Sequence, residues 1–345
     1  MRRRATSYAV LAAALYAVNI PFSKRLLLHV SPTMMAALLY LGAGLGLLAG
    51  RLAGRGLDRR ATSLTRKELP YTAAMVALDI AAPILLMLGV ERTTSANVSL
   101  LSSFEIVATS LIALVLFREV LSRRLWLAIG LVTAASALLG WEGSSGFVFN
   151  RGSALVLGAC LCWGFENNCT KMLSSKSSQE IVIIKGCFSG LGSLLVALAA
   201  GESLPAPGWA LLTALLGFVS YGLSIYFYIL AQRDLGAAKT SAYYSIAPFL
   251  GVALSMLLGE RPGPRFYAAL AVMAAGTVLM VRDTVALQHT HAHAHVHTHA
   301  HQHGGLVHTH QHSHVHSHLH VHGPDEERHL HTHQDLPDHG HSHAS

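Results

Sequence analysis

Charge is what this 345-residue chain has least of. Asp, Glu, Lys and Arg make up 12% of it, while 52% is hydrophobic. Soluble domains carry about a quarter charged residues, so an ordinary water-facing surface is excluded. Cysteine is scarce too. The four present, Cys160, Cys162, Cys169 and Cys187, lie in or beside apolar runs, which gives no disulfide framework. Of 23 histidines only His29 precedes residue 289, so no histidine relay crosses the apolar part. That part also lacks a Ser-His-Asp or Cys-His constellation, a phosphate-binding glycine loop and a zinc-protease helix, and no catalysis is expected. No RNA or DNA motif accompanies the basic balance, so nucleic acid is not an expected partner.

What is present is a series of long apolar runs. With about 20 residues needed per crossing, spans are predicted near 6–23, 32–50, 69–90, 95–117, 124–141, 153–171, 181–200, 208–230, 237–258 and 266–282. The MRRR start resembles a signal peptide, but its apolar run reaches Lys24-Arg25 without a convincing cleavage site, so it is read as a retained first helix. Residues 1–283 hold 24 Lys+Arg against 13 Asp+Glu, and the remainder 1 against 5. The basic residues crowd alternate loops, among them Arg51, Arg55, Arg59, Arg60, Arg66 and Lys67. This bias puts both termini in the cytoplasm, in a bacterial-type plasma (inner) membrane.

The chain also repeats itself. Glu91–Glu119 and Gln232–Glu260 align at a constant offset of 141, so that Arg92 meets Arg233, Ala96 meets Ala237, Ser99 meets Thr240 and Glu119 meets Glu260. Five spans per half is an odd number, so the halves are expected to be inverted about a site in mid-membrane. The fold expected is an all-α integral membrane bundle of ten transmembrane helices in two inverted five-helix repeats, residues 1–143 and 144–283. A disordered His-rich tail, 284–345, follows.

Polar groups inside the spans mark the candidate path. Glu105 is the one charge between Ala96 and Phe117, and an ionisable group at that depth faces protein or water rather than lipid. With Ser102 and Thr109 it forms a polar stripe. Asp79 sits mid-span. Glu166, Asn167 and Asn168 form the densest polar cluster, and Lys185 falls in the adjacent span, where it can pair with Glu166. Asn19 and Tyr244 complete the set. The plainer alternative for Glu105 is a buried, protonated side chain that only ties helices together. Pro21, Pro83 and Pro248 each remove a backbone donor inside an apolar run, which serves either a kink or a cavity.

Several stretches together resemble the EamA-type members of the drug/metabolite transporter superfamily: LYAVNIPFSK, SPTMMAALLY, SANVSLLSSFEIVATSLIALVLFRE, LCWGFENNCTK and YYSIAPFLGVALSMLLGE. The resemblance covers roughly 6–282. It implies a ten-helix inverted-repeat fold and secondary transport, frequently export, without fixing a substrate. Two positions depart from that pattern: Tyr40 stands where many members have Arg, and Asp79 where Gly is more usual.

After Asp283 the composition changes. His289, His291, His293, His295, His297, His299, His301 and His303 form one block. His308, His310, His312, His314, His316, His318, His320 and His322 form a second, and a third runs over 329–343. Such a segment has too little apolar content to fold alone. Neutral imidazole is a good ligand for Zn, Ni and Co, so these sixteen positions are candidate metal ligands, with no cofactor required by the rest of the chain. The alternative is a bulky, pH-sensitive polar tail. The expected function is an alternating-access secondary transporter, handling or regulated by divalent metals. Two other readings stay open: an exporter of a small metabolite or amino acid, and a membrane-anchored metal buffer or sensor. Expected partners are the lipid bilayer and a small-molecule or metal-ion substrate, and a homodimer is compatible with these features.

Overall fold

Each apolar run long enough to cross a bilayer must satisfy its own backbone, and these runs do so as helices. A computed structural model describes residues 2–53, 65–117, 122–140, 150–173, 176–235, 237–303 and 306–321. Among the described residues eight helical stretches are long and apolar enough to cross a membrane: Arg4–Leu26, Pro32–Leu52, Arg66–Arg92, Ser95–Leu116, Arg123–Gly140, Gln179–Ala199, Pro207–Ala231 and Pro264–Arg282. Ala242–Leu257 is a shorter apolar helix. Arg151–Met172 is long, but Glu166, Asn167 and Asn168 make its second half polar.

Several stretches are interrupted. The first divides into α1 (Arg2–Ala17) and α2 (Asn19–Leu26). Pro21 is the cause, since it cannot donate to the carbonyl four residues back, that of Ala17. α3 (Pro32–Leu52) and α4 (Leu69–Arg92) are continuous, although Pro83 lies inside α4. The two repeated stretches break alike. α5 (Ser95–Leu101) is followed by α6 (Phe104–Phe117), and α13 (Ala237–Tyr244) by α14 (Ala247–Leu257). Between them run α7 (Arg123–Gly140), α8 (Arg151–Met172), α9 (Ser178–Ile184), α10 (Gly190–Ala199), α11 (Pro207–Gly217) and α12 (Ser224–Leu235). Wide π turns, Lys185–Ser189 and Phe218–Leu223, join α9 to α10 and α11 to α12. α15 (Pro264–Leu287) closes the bundle.

Residues from 1 to 286 form one compact unit. The halves interlock: α4 packs on α8, α1 on α12, α3 on α10 and α11, and α5 on α14. Glycine allows the closest of these approaches. A Cβ on Gly217 would lie 2.0 Å from the Leu39 carbonyl oxygen, and one on Gly44 would lie 2.6 Å from the Cys187 backbone nitrogen. Helix pairs in lipid depend on such small-residue contacts. The outer surface carries Val115, Leu195, Leu211 and Leu257, all exposed, as a lipid-facing surface requires.

The tail is a second unit, from Leu287 onward. Where composition leads to an expectation of disorder, β1 (Gln288–His303) and β2 (Leu306–Val321) pair antiparallel. His-x-His has the period of a strand, and Thr and Val between the histidines favour extended backbone, a pattern that mean composition does not register. Residues 322–345, including His322 and the third histidine block, lie outside the described residues.

Candidate functional site

A cavity of about 280 Å³ opens where the helix breaks and wide turns meet. The interruption between α5 and α6 presents Ser102 and Ser103 to it, the first π turn presents Lys185, and the second presents Tyr221. Wide turns of this kind recur at functional sites because they re-aim side chains without ending the helix.

Lys185 organises the charge. Its Nζ lies 2.9 Å from Glu166 Oε1 and 3.2 Å from Asp79 Oδ2. Tyr40 donates its hydroxyl to Asp79 Oδ1 at 3.2 Å, and Thr170 Oγ1 donates to Glu166 Oε1. Asp79 is fully buried and Glu166 nearly so. Carboxylates at that depth need a cation or a proton, and one ammonium here faces two of them. Tyr40 and Asp79, each singled out separately in the sequence, are bonded to each other.

Glu105 stands apart from that triad. Its Oε1 accepts from Asn167 Nδ2 at 2.9 Å, and the same Nδ2 lies 3.2 Å from Thr109 Oγ1. Thr109 Oγ1 itself donates back to the Glu105 carbonyl at 2.8 Å. Tyr16, Tyr221 and Tyr244, each near enough to act electrostatically on Glu105, make an aromatic wall on this side of the cavity, and Trp163 lines the same cavity. Tyr16 lies 5.8 Å from Tyr221 and 5.6 Å from Tyr244 between ring centroids. The Tyr244 hydroxyl is 3.3 Å from Ser224 Oγ, which donates to the Ala12 carbonyl at 2.9 Å and so ties α12 to α1.

Of the residues singled out from sequence, Ser102, Glu105, Glu166, Asn167, Lys185 and Tyr244 line the cavity. Asp79 stands behind it through Lys185 and Tyr40. Asn19 stands behind Tyr221, to whose hydroxyl oxygen it donates at 2.9 Å. Asn168 is not brought to the cavity. It donates to Gly164 O at 2.8 Å and Thr109 O at 3.2 Å, and so holds α8 to α6. Sequence reasoning missed Tyr16, Trp163 and Tyr221, since an aromatic ring in an apolar run carries no mark that separates a wall from a core.

It also missed a set of ties at one end of the bundle. Glu202 accepts from Ser31 Oγ at 2.7 Å and from the Met34 amide at 2.8 Å, at the start of α3. Glu260 accepts from the Ser95 and Ala96 amides, both at 2.8 Å, at the start of α5. Arg25 donates to Leu258 O at 2.7 Å, and Lys24 to Val90 O at 2.6 Å. Each carboxylate sits at a helix N-terminus and each cation near a helix C-terminus, the arrangement the helix dipole favours. The recurrence of Glu119 as Glu260 was the one available signal.

Among the described residues no group of three or more His, Cys, Asp or Glu is placed to hold a metal, and the four cysteines are free. The imidazoles of the tail fall outside what is described, but the strand register is defined. It sets His289 opposite His320, His291 opposite His318, and so on to His301 opposite His308.

The sequence matches the EamA-like transporter family over residues 3–141 and 150–282. The chain belongs to that family. An "Uncharacterized transporter" from Methanothermobacter thermautotrophicus (strain Delta H) is 25% identical to this EamA-like chain over 271 residues, 73% of this chain and 78% of the relative. A crystal structure shares the fold with a TM-score of 0.57, covering 81% of this chain and 96% of that one at 18% identity. EamA-like proteins are membrane transporters, which makes this chain an integral membrane protein and a transporter rather than an enzyme. Its surroundings are the lipid bilayer and its substrate is a small molecule.

Proposed function

We propose that this EamA-like protein is a secondary transporter working by alternating access, with ten membrane crossings in two inverted halves and both termini cytoplasmic. The observation that carries the reading is the polar cavity around Glu105, Glu166, Asn167 and Lys185, buried inside an otherwise apolar bundle. Such groups are costly at that depth, and a substrate path gives them a purpose. The latched end fits one half of a transport cycle. Ser95, where Glu260 binds, is seven residues from Ser102 in the cavity wall, roughly 10 Å along a helix. Closing that end while the cavity opens toward the other is the basic requirement of alternating access.

In this mechanism Glu105 carries the coupling proton. Asn167 orients the carboxylate, the Lys185 triad fixes the opposite wall, and the break between α5 and α6 lets the wall move. The test is uptake and efflux across a panel of metabolites and metals, with the full chain in proteoliposomes under an imposed proton gradient. Glu105→Gln keeps the size and hydrogen bonding of the side chain but exchanges no proton, so coupled flux is expected to disappear while the protein still inserts and elutes as wild type. Wild-type flux and pH dependence in that variant would make Glu105 structural.

A second reading is favoured by the register of the tail. Seven cross-strand histidine pairs make a ladder on which divalent metals such as Zn, Ni or Co can bind, tuning transport from outside the path. Imidazole binds metal only when neutral, so capacity falls as pH drops through about 6.5. Isothermal titration of the full chain against a version ending at Asp283, with Zn at pH 7.5 and 5.5, is expected to show tail-dependent binding at the higher pH only. No difference between the two proteins at pH 7.5 would remove the metal reading.

A further inference from the structure

The cavity is unevenly charged. Lys185 is the one cation lining it among the described residues, and it already faces two carboxylates, Glu166 at 2.9 Å and Asp79 at 3.2 Å. Glu105 is a third carboxylate, and the partner it has, Asn167, is neutral. In a low-dielectric interior an unmatched carboxylate strongly favours either a proton or an incoming positive charge.

The wall beside Glu105 narrows the choice of that charge. The Tyr221 and Tyr244 rings lie 5.8 Å and 5.6 Å from that of Tyr16 between centroids, and Trp163 lines the same cavity. Ring faces are negative and attract a cation held within about 6 Å of the centroid. They cannot replace the water shell of a metal ion, and among the described residues no group of three or more His, Cys, Asp or Glu is placed to do so. The volume, about 280 Å³, is at the small end for ligand pockets.

We propose that the cavity binds a small organic cation, an ammonium group on a compact apolar or aromatic body, with Glu105 as its counter-ion. The aromatic wall holds the body and the ring faces share the charge. When the ammonium enters, protonated Glu105 gives its proton to water and the carboxylate pairs with the cation. When the proton returns, the cation is released. No other bond changes. The charged and titratable groups close enough to act on Glu105 are Glu166 and Cys160 on α8, Lys185 in the wide turn, and the hydroxyls of Tyr16, Tyr221 and Tyr244. This inference rests on the transport reading for its purpose but not for its test.

The experiment is equilibrium binding to the full chain in nanodiscs, using four probes of one shape: benzylammonium, benzyltrimethylammonium, benzyl alcohol and benzoate. The two cations are expected to bind roughly tenfold or more tightly than the alcohol, and benzoate more weakly still. Acidification should weaken benzyltrimethylammonium binding, because its own charge is fixed and only the protein titrates. Calorimetry in buffers of different ionisation enthalpy should show proton release on binding. Glu105→Gln is expected to lose the preference for cations and the proton release, and Glu105→Asp to restore part of both. Benzoate binding as tightly as the cations, or a cation preference that survives in Glu105→Gln, overturns the proposal. Cation binding without flux would instead remove the transport reading and leave this one standing. Flux of other substrates without cation binding would do the reverse.

Discussion

Lys185 lies between two carboxylates that are almost without exposure, Asp79 and Glu166. Removing the ammonium leaves both uncompensated, a change that costs about 3–5 kcal/mol when a buried pair is broken from one side. Lys185→Met is therefore expected to lower the yield of monodisperse protein and its melting temperature. The triple change Lys185→Met, Asp79→Asn and Glu166→Gln should recover most of that loss, since it removes the charges together. A single variant as stable as wild type would mean that the carboxylates carry protons and the triad is not ionic. Part of this cluster was legible in the sequence. Glu166 and Lys185 fall at matching depth on consecutive spans, so their pairing follows from hydropathy alone. The bond between Tyr40 and Asp79 did not follow, because each was notable only by itself and nothing in a linear pattern says which faces of α3 and α4 meet.

At the scale of elements, the sequence indicated where helices lie, but not how they are interrupted. Pro21 and Pro248 announce the breaks at Val18 and before α14. The wide turns at Lys185–Ser189 and Phe218–Leu223 have no such marker, because a π turn keeps every residue helical and arises from packing rather than from residue type. Both turns lie against α3, where glycine allows the backbones to approach. Gly217→Ala puts a methyl 2.0 Å from the Leu39 carbonyl oxygen, so a helix must move. Overpacking of this kind costs about 1–3 kcal/mol. Gly130 lies in α7, where an added methyl would meet nothing within 4 Å, and alanine there favours the helix by about 0.5–1 kcal/mol. Thermal unfolding in detergent is expected to place Gly217→Ala below wild type and Gly130→Ala at or above it. Equal melting temperatures for the two variants would show that the α3 contact is looser than its geometry indicates.

For the whole molecule, the proposed alternating access requires that one chain close first one end and then the other. Glu260 accepts from the amides of Ser95 and Ala96, and Glu202 from Ser31 and the Met34 amide at the start of α3, ties that the proposed cycle assigns to closing one end. The offset of 141 that maps Glu260 onto Glu119 also maps positions 95 and 96 onto 236 and 237. The proposed inversion of the halves therefore assigns Glu119, which lies outside the described residues, the same task at the opposite end, against the start of α13. Glu260→Ala and Glu119→Ala are then expected to push the conformational equilibrium in opposite directions. A loss of about 1–3 kcal/mol from one charged cap corresponds to a shift of roughly five- to 150-fold in the ratio of the two states. The measurement is the labelling rate of a cysteine placed at Ser103, in the cavity wall, by a membrane-impermeant maleimide added to one side of oriented vesicles. With the native cysteines replaced by alanine, Glu260→Ala should speed labelling from the side that carries Glu260, and Glu119→Ala should speed it from the other. Two variants that shift labelling in the same direction would contradict the inverted pairing, and with it the assignment of one latch to each end.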